Sequence, residues 1–204
     1  MTLVGVTGQT GAGKTTFCKV FRDIGAKVID ADKIGHKLHQ EEGIKKQLVE
    51  TFGEEILDVE GKINRKSLGS IVFENRKNRE MLDEIMKKPL IDVIEARIFE
   101  IRDNGFPGIV VLDAALLPEW KKLHKLVDYT VLIEAPKWQR INRLEEKKGL
   151  EPEEAEKRID ALENLYDDFY PQIDYNVKNS GNIREFRAKV VKVWLDIKSH
   201  VGRQ

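Results

Sequence analysis

Short apolar runs alternate along the chain with longer segments in which apolar residues recur at helical spacing. The runs lie at residues 3–6, 27–29, 109–112, 129–133 and 175–177. Continuous apolar runs such as the one at 109–112 are typical of strands that are buried on both faces of a parallel sheet. Strands that alternate with helices therefore predict an α/β fold with right-handed crossovers, in which ligands bind at the carboxyl ends of the strands.

The helical pattern occupies the segments between and after these runs. Helices are predicted at residues 14–22 and 183–200. Residues 34–104 are mostly helical, with interruptions at 52–53 and 60–61, and Pro89 should start or kink a helix there. Residues 137–166 are helical in period and highly charged, with Gly149 and Pro152 as breaks. We expect the two long helical segments to rise from the ligand-binding edge of the sheet.

The charge balance limits the classes of partner. The chain of 204 residues has 35 Lys and Arg and 35 Asp and Glu, so the whole molecule has no net field to attract nucleic acid or an anionic membrane. One cysteine, Cys18, excludes an internal disulfide, and no apolar stretch approaches the length of a membrane span. We therefore expect a cytoplasmic protein whose anion binding comes from a local site.

That local site is indicated by residues 8–15, which match the pattern G-x-x-x-x-G-K-S/T of a phosphate-binding loop at every fixed position. Glycines let the backbone fold around an anion, and the amides of the loop and of the following helix then point at the phosphates. Lys14 can reach the β- and γ-phosphates of ATP, and the Thr15 hydroxyl can bind Mg²⁺. A glycine-rich turn is the alternative, but the preceding strand and following helix are the context that a phosphate loop requires. The pattern predicts a phosphotransferase.

Three aspartates stand at or near strand ends in the sequence. Asp32 can accept a proton from an attacking hydroxyl or hold Mg²⁺ through water, and a helix N-cap is the structural alternative. Asp30 lies two residues before it and is the weaker functional candidate. Asp113 follows a buried run and is either a second acidic group near Mg²⁺ or a turn residue.

The charged segment 140–158 has two interpretations. It is either an ordinary solvated helix face or a lid that closes over ATP and excludes water. His36, His39, His124 and His200 form no H-E-x-x-H arrangement, and surface or packing roles are expected for them.

Several separated motifs resemble those of the dephospho-CoA kinase family, and together they cover most of the chain. Residues 5–16 are similar to the family's opening, and residues 28–32 to its V-I-D-A-D segment. Residues 52–73 resemble its F-G…G-x-x-N-R-x-x-L-G-x-x-V-F run, which is more specific than the phosphate loop. Residues 111–119 resemble its strand followed by P-L-L-F-E, and residues 174–181 resemble its A-D-x-V-I-x-N-S-G ending.

The resemblance implies a three-part molecule and a reaction. The parts are a nucleotide-binding core of the P-loop type, a helical dephospho-CoA-binding insertion at about 33–104 and a lid at about 137–170. The reaction transfers a phosphoryl group from ATP to the ribose 3′-hydroxyl of dephospho-CoA, with Mg²⁺, and gives CoA and ADP. This is the last step of coenzyme A biosynthesis.

The resemblance also implies roles for individual residues. Asp32 would orient or deprotonate the hydroxyl, while Lys14 and Arg143 would stabilise the phosphoryl group in flight. The implied nucleotide contacts are Gly8, Gly11, Ala12, Gly13, Lys14, Thr15, Thr16 and Asn179, the last of which would border the adenine. The implied substrate contacts are Asp32, Asn64, Arg65, Lys88, Leu116 and Leu117. The implied metal residues are Thr15 and, through water, Asp113.

The chain departs from the family's usual residues at Lys88, Ala115, Lys147 and Leu162, where His, Pro, Arg and Gln are usual, whereas Arg158 matches. From the residues alone, a kinase for another small molecule and a non-enzymatic nucleotide switch stay open. A GTPase switch would need N-K-x-D and D-x-x-G motifs, and neither is found.

Overall fold

The computed structural model describes residues 1–161 and 163–201, and within them five strands form one sheet in the order β2-β3-β1-β4-β5. The strands are β1 (Thr2–Gly8), β2 (Lys27–Asp30), β3 (Ile109–Asp113), β4 (Tyr129–Glu134) and β5 (Tyr175–Lys178). β1 pairs in parallel with β3 and with β4, and β4 pairs in parallel with β5. The predicted strands and parallel sheet are confirmed, and most strands run one or two residues beyond the apolar run because backbone pairing continues past it.

Helices separate the strands along the chain. The α-helices are α1 (Lys14–Asp23), α2 (Ala31–Leu38), α3 (Glu42–Phe52), α4 (Arg65–Glu74), α5 (Arg76–Asp103), α6 (Lys121–His124), α7 (Lys137–Lys148), α8 (Pro152–Asp160) and α9 (Ile183–Val201). Turns of 3-10 helix lie at Glu54–Ile56, Leu117–Glu119 and Glu163–Gln172. No helix of the described residues is long and apolar enough to cross a membrane.

The sheet register aligns the strand ends that matter for binding. Val6 of β1 lies opposite Asp113 of β3, and Gly8 of β1 lies opposite Ile133 of β4. The carboxyl ends of the three central strands therefore meet at one edge. The phosphate-loop sequence starts at that edge.

Two aspartates extend the ladder at the opposite edge. Asp128 accepts a hydrogen bond from the Leu3 amide at 2.7 Å through its carboxylate, and its own amide donates to the Leu3 carbonyl at 2.8 Å. Asp174 makes the same two bonds to Thr130, at 2.7 and 3.0 Å. These bonds satisfy amides at the start of β1 and β4 and fix the register before the strands enter the core.

The compact unit that contains the sheet has its core between the sheet and helices α1 and α9. Phe17 and Phe21 stack with ring centroids 4.5 Å apart, and Trp194 of α9 meets Phe21 edge-on at 5.2 Å. Each of the two phenylalanines is fully buried, which stabilises the fold by about 1.5–3 kcal/mol per side chain. Cys18 is buried in the same cluster.

Residues 30–100 form a second compact unit with a core of its own. Gly53, with φ at 86°, ends α3, and the turn around Gly61 is closed by an antiparallel bridge between Leu57 and Ile63. Both interruptions therefore fall where the sequence predicts them. This second unit contains most of the helical segment predicted at 33–104. The role of that segment in dephospho-CoA binding stays a prediction.

Pro89 does not start a helix, and this part of the prediction is wrong. It lies inside the 28 residues of α5. Met86 before it and Ile94 after it are both buried. Burial of apolar side chains on both sides favours a continuous helix despite the amide hydrogen that proline lacks.

The lid predicted at about 137–170 contains α7, α8 and most of the 3-10 turn Glu163–Gln172. Gly149, with φ at 61°, ends α7, and Pro152 occupies the first turn of α8, as the sequence predicts. Leu144, Ala155 and Ile159 form a small apolar cluster between the two helices. The two helices form a hairpin, which we call the α7–α8 hairpin.

Candidate active site

The phosphate loop connects β1 to α1, and its glycines stand where side chains have no room. A Cβ on Gly11, which has φ at 78°, would lie 2.9 Å from the carbonyl oxygen of Arg140. A Cβ on Gly13, which has φ at 118°, would lie 2.5 Å from the side-chain nitrogen of Asn179. The loop is therefore packed closely between α7 and the end of β5.

The loop is closed on itself by short backbone bonds. The Ala12 amide donates to the Gln9 carbonyl at 3.0 Å, and the Thr16 amide donates to the Gly13 carbonyl at 3.0 Å. The amides of Lys14 and Thr15, the first two of α1, have no carbonyl inside the helix to bind, so the helix start is suited to an anion. The ammonium of Lys14 donates to the Gly8 carbonyl at 2.6 Å, which holds it over the loop.

Thr15, the last residue of the loop motif, and Asp113 lie on separate elements. Thr15 is exposed in the first turn of α1, and Asp113 ends β3 next to β1. No group of three or more His, Cys, Asp or Glu in the described part of the chain could hold a metal ion. A hydroxyl and a carboxylate nevertheless suit Mg²⁺, which usually takes one or two protein oxygens together with substrate phosphates.

Arg143 of α7 is bound to the phosphate loop. Its guanidinium donates to the carbonyl oxygens of Gly11 at 3.2 Å, Ala12 at 3.3 Å and Asn179 at 3.2 Å, and to the side chain of Gln139 at 3.2 Å. Burial lowers the pKa of Arg143 from its ordinary value, although a guanidinium remains charged at neutral pH. The predicted lid arginine thus lies at the phosphate loop.

The burial of Arg140 shows that segment 140–158 is not a uniformly solvated helix face. Its side chain is 2% exposed, and its guanidinium makes a bidentate pair with Glu163 at 2.8–3.0 Å. A guanidinium this deep is retained only when a carboxylate partner compensates its desolvation. The first turn of α7 is therefore fixed, while the exposed charges of the segment lie further along the hairpin.

Asn179 follows β5 and touches the loop from the other side. Its side-chain nitrogen donates to the Ala12 carbonyl at 2.7 Å, and its amide donates to the Glu134 carbonyl at 2.7 Å. The residue is 7% exposed. The structure thus brings Asn179 together with Gly11, Ala12, Gly13 and Arg143, although they are far apart in sequence.

A buried polar cluster beneath the loop has no equivalent among the sequence predictions. The hydroxyls of Thr7 and Tyr166 both donate to the Ala115 carbonyl, at 3.0 and 3.1 Å. Burial raises the pKa of Tyr166, so the phenol stays protonated as a donor. The only sequence signal was a polar threonine directly after the apolar run at residues 3–6, and nothing local identified its partners.

Leu117 is placed differently from its predicted role as a substrate contact. Its side chain is fully buried, and a Cβ on Gly5 would lie 2.6 Å from its Cδ2 atom. Leu117 therefore fills the space above a glycine of β1, and this packing does not support the prediction. Leu116, one residue earlier, is partly exposed, and its role as a substrate contact stays a prediction.

In the helical unit, the two aspartates of the D-A-D segment have different positions. Asp30 is the N-cap of α2, and its carboxylate accepts a hydrogen bond from the Lys33 amide at 2.9 Å. Asp32 lies in the first turn of the helix and is exposed. The N-cap role that the sequence offered as the alternative for Asp32 is therefore filled by Asp30.

Asn64 and Arg65 begin α4, and each has a defined partner. The Asn64 side chain caps the helix by accepting bonds from the amides of Lys66 and Ser67, at 2.9 and 3.3 Å. The Arg65 guanidinium lies 2.9 Å from Nδ1 of His36. Asn64 therefore sets the start of the helix that carries Arg65.

His39 lies next to His36 and Arg65, and its ring centroid is 6.1 Å from that of His36. Burial, His36 and Arg65 together lower the pKa of His39 to about 4, and its buried Nδ1 has no hydrogen-bond partner in the described part of the chain. The expectation of a packing role for His39 fits this burial.

Comparison with known proteins now decides the family. The model of the dephospho-CoA kinase family matches residues 2–185. The chain belongs to the dephospho-CoA kinase family. It is 33% identical to the dephospho-CoA kinase of Aquifex aeolicus over 198 residues, which cover 97% of this chain and 98% of the relative. It is 38% identical to that of Dehalococcoides mccartyi over 161 residues, covering 79% of this chain and 80% of the relative.

A solved structure agrees with this assignment. The dephospho-CoA kinase of Campylobacter jejuni superimposes with a TM-score of 0.69 at 26% identity, covering 97% of this chain and 98% of that one. The protein is thus a kinase, and ATP is its phosphoryl donor. Its small-molecule substrate is dephospho-CoA, after which the family is named.

The positions that depart from the family's usual residues can be placed on this kinase. The carbonyl of Ala115 receives the bonds from Thr7 and Tyr166, so alanine supplies the same backbone acceptor as proline. Lys88 is highly exposed and pairs with Asp92 one turn along α5 at 2.6 Å. Lys147 is exposed on α7. Leu162 lies outside the described residues.

Proposed function

We propose that Lys14, Arg143 and Asp32 carry the transfer of a phosphoryl group from ATP to the ribose 3′-hydroxyl of dephospho-CoA, the last step of coenzyme A biosynthesis. The observation that carries the proposal is the complete phosphate loop, with a lysine and an arginine held on its carbonyls. Phosphoryl transfer is catalysed mainly by positioning and by charge stabilisation, and these cations supply the charge.

The ATP phosphates would be lined by Gly8, Gly11, Ala12, Gly13, Lys14, Thr15 and Thr16. The amides of Ala12 and Thr16 already donate to the Gln9 and Gly13 carbonyls, so the other amides of the loop and of the α1 start would be the donors. Lys14 leaves the Gly8 carbonyl and moves onto the β- and γ-phosphates as they arrive. Arg143 adds charge on the lid side of the loop. These cations stabilise the negative charge that spreads over the transferred group.

Asp32 would act on the acceptor. Its exposed carboxylate accepts the proton of the 3′-hydroxyl while the oxygen forms a bond to the γ-phosphorus. The bond from that phosphorus to the β–γ bridging oxygen breaks, and ADP leaves with its electron pair. Because Asp30 already caps α2, Asp32 is available for this role.

Thr15 and Asp113 would hold Mg²⁺, the aspartate through water. When bound, the ion neutralises phosphate charge. Arg65, Asn64, Lys88 and Leu116 would contact dephospho-CoA, with Arg65 supplying positive charge toward its phosphates. Action in the cytoplasm, without a nucleic-acid or membrane partner, stays a prediction from composition.

Incubation with ATP, Mg²⁺ and dephospho-CoA, followed by mass detection of CoA, tests the proposal. We expect formation of CoA and ADP in equal amounts. Adenosine, which offers a 3′-hydroxyl but no pantetheine arm, is the control acceptor. Equal turnover of adenosine would favour a general ribose kinase instead, and ADP formation without any acceptor would favour a nucleotide hydrolase.

A further inference from the structure

Asn179 contacts the phosphate loop through a buried side-chain hydrogen bond to a loop carbonyl. Its side-chain nitrogen lies 2.7 Å from the Ala12 carbonyl, in a contact between residues 167 positions apart. The bond is buried, and the residue is 7% exposed. Little of the side chain is therefore accessible to an adenine ring.

The bond fixes the orientation of one peptide group in the loop. The carbonyl of Ala12 and the amide of Gly13 belong to the same planar trans peptide, so they point in opposite directions. Because Asn179 binds the carbonyl on the buried side, the Gly13 amide is directed to the other side. That amide is one of the donors from which a phosphate loop builds its anion site.

Asn179 is itself rigidly placed. Its amide donates to the Glu134 carbonyl at 2.7 Å, which continues the β4–β5 pairing one residue beyond Lys178. Its own carbonyl accepts a bond from Arg143 at 3.2 Å. One residue thus ties the sheet, the phosphate loop and the lid arginine together.

Gly13 shows how close this approach is. A Cβ on Gly13 would lie 2.5 Å from the same side-chain nitrogen, so the backbone of the loop rests directly on the amide of Asn179. Loss of the amide would leave a buried carbonyl with Arg143 as its remaining side-chain donor and a void beside the loop.

We infer that Asn179 is a positioning residue that orients the Ala12–Gly13 peptide for phosphate binding and holds Arg143, rather than a contact for the adenine base. The inference rests on the proposed function, because it concerns the same nucleotide site. It differs from the adenine contact that the family resemblance implies for this residue.

Direct binding of two partial ligands separates these roles. Inorganic tripolyphosphate has neither base nor ribose, and adenosine has no phosphate. Calorimetry in the presence of Mg²⁺ would measure both on the wild type, Asn179→Ala and Asn179→Ser. We expect Asn179→Ala to weaken tripolyphosphate binding by about tenfold, with adenosine binding unchanged, since a buried acceptor is left short of a donor. Serine keeps a hydroxyl donor and should recover part of the loss.

Asn182→Ala is the matched control. Asn182 lies three residues further along and caps α9, with its side-chain oxygen 2.9 Å from the Arg184 amide. This variant should lower the Tm while leaving tripolyphosphate binding at the wild-type level. Comparison with Asn182→Ala therefore separates a loss of phosphate binding from a general loss of stability. The same comparison applies to Asn179→Ser if Asn179→Ala folds poorly.

Two results would overturn the inference. Loss of adenosine binding with normal tripolyphosphate binding would make Asn179 a base contact. Normal binding of both ligands with only a lower Tm would make it a purely structural residue. Neither measurement uses dephospho-CoA, so the outcome is independent of whether the wild type phosphorylates that substrate.

Discussion

The carboxylate of Asp30 accepts a hydrogen bond from the amide of Lys33 at 2.9 Å, and this bond assigns the cap of α2 to Asp30. Asp32 lies two residues later, exposed in the first turn. Asparagine caps helices about as well as aspartate. Substitution by asparagine therefore isolates the effect of the charge and of the proton-accepting oxygen at either position.

We expect Asp32→Asn to lower kcat by about 10²–10⁴, the usual contribution of a positioned acid–base group, with little change in ATP affinity or Tm. Asp30→Asn should have much smaller effects on kcat. Asp30→Ala should instead destabilise the protein by about 1 kcal/mol through loss of the cap. Turnover, ATP binding and melting curves of the three variants provide the test. An Asp32→Asn enzyme with wild-type kcat would eliminate the catalytic role.

Lys14→Ala should nearly abolish transfer while the fold is kept. Removal of a single preorganised charge-stabilising group costs about 10²–10³ in kcat in comparable sites, and Lys14 would contact two phosphates. Lys19→Ala on the same helix is the control, because Lys19 forms an exposed pair with Asp23 one turn away. Steady-state turnover and circular dichroism would be measured for both. Near-normal turnover of Lys14→Ala would contradict the phosphate-loop assignment.

The α7–α8 hairpin should become less mobile when ATP and dephospho-CoA are both bound. Amide hydrogen exchange should slow most at residues 144–158. Residues 140–143 should change less, because Arg140 and Arg143 already hold the first turns of α7 in place. Helix α9 serves as the internal reference. Unchanged exchange at residues 144–158 under saturating ligands would leave only the interpretation of a solvated helix pair.

His39 should make stability depend on pH. Its pKa is lowered to about 4 in the folded protein, mainly by burial, whereas an exposed histidine in the unfolded chain has a pKa of about 6.5. Between these values the unfolded chain binds a proton that the folded protein does not. The contribution of neutral His39 to the free energy of unfolding is therefore fully present above about pH 6.5. It is lost as the pH falls toward 4, which lowers the free energy of unfolding by at most about 3 kcal/mol.

The variant His39→Leu tests this prediction, since leucine cannot take up a proton. The difference in unfolding free energy between wild type and variant should change in the variant's favour as the pH falls from 6.5 to 4. His200→Leu, at the exposed end of α9, controls for the removal of a histidine as such. Parallel pH profiles for the wild type and His39→Leu would show that His39 does not have this effect.

The sequence alone determined the strands, the parallel sheet, the phosphate loop and the family. Each of these is encoded locally: an apolar run predicts a buried strand, and eight consecutive residues specify a loop that folds around an anion. Gly149 and Pro152 were likewise found at the end of α7 and at the start of α8, because their backbone preferences act on their immediate neighbours.

Only the tertiary structure decided what holds the loop in place. Asn179 and Ala12, Arg143 and Gly11, and Tyr166 and Ala115 are 167, 132 and 51 positions apart, and each pair is joined by a hydrogen bond. Side-chain donors of this kind carry no periodic signal, and their acceptors are backbone carbonyls that every residue possesses. The partner of such a donor is set by the packing of the sheet and helices, which the local pattern does not contain. For the same reason, Leu117 could be recognised as a core residue only once Gly5 was seen beneath it.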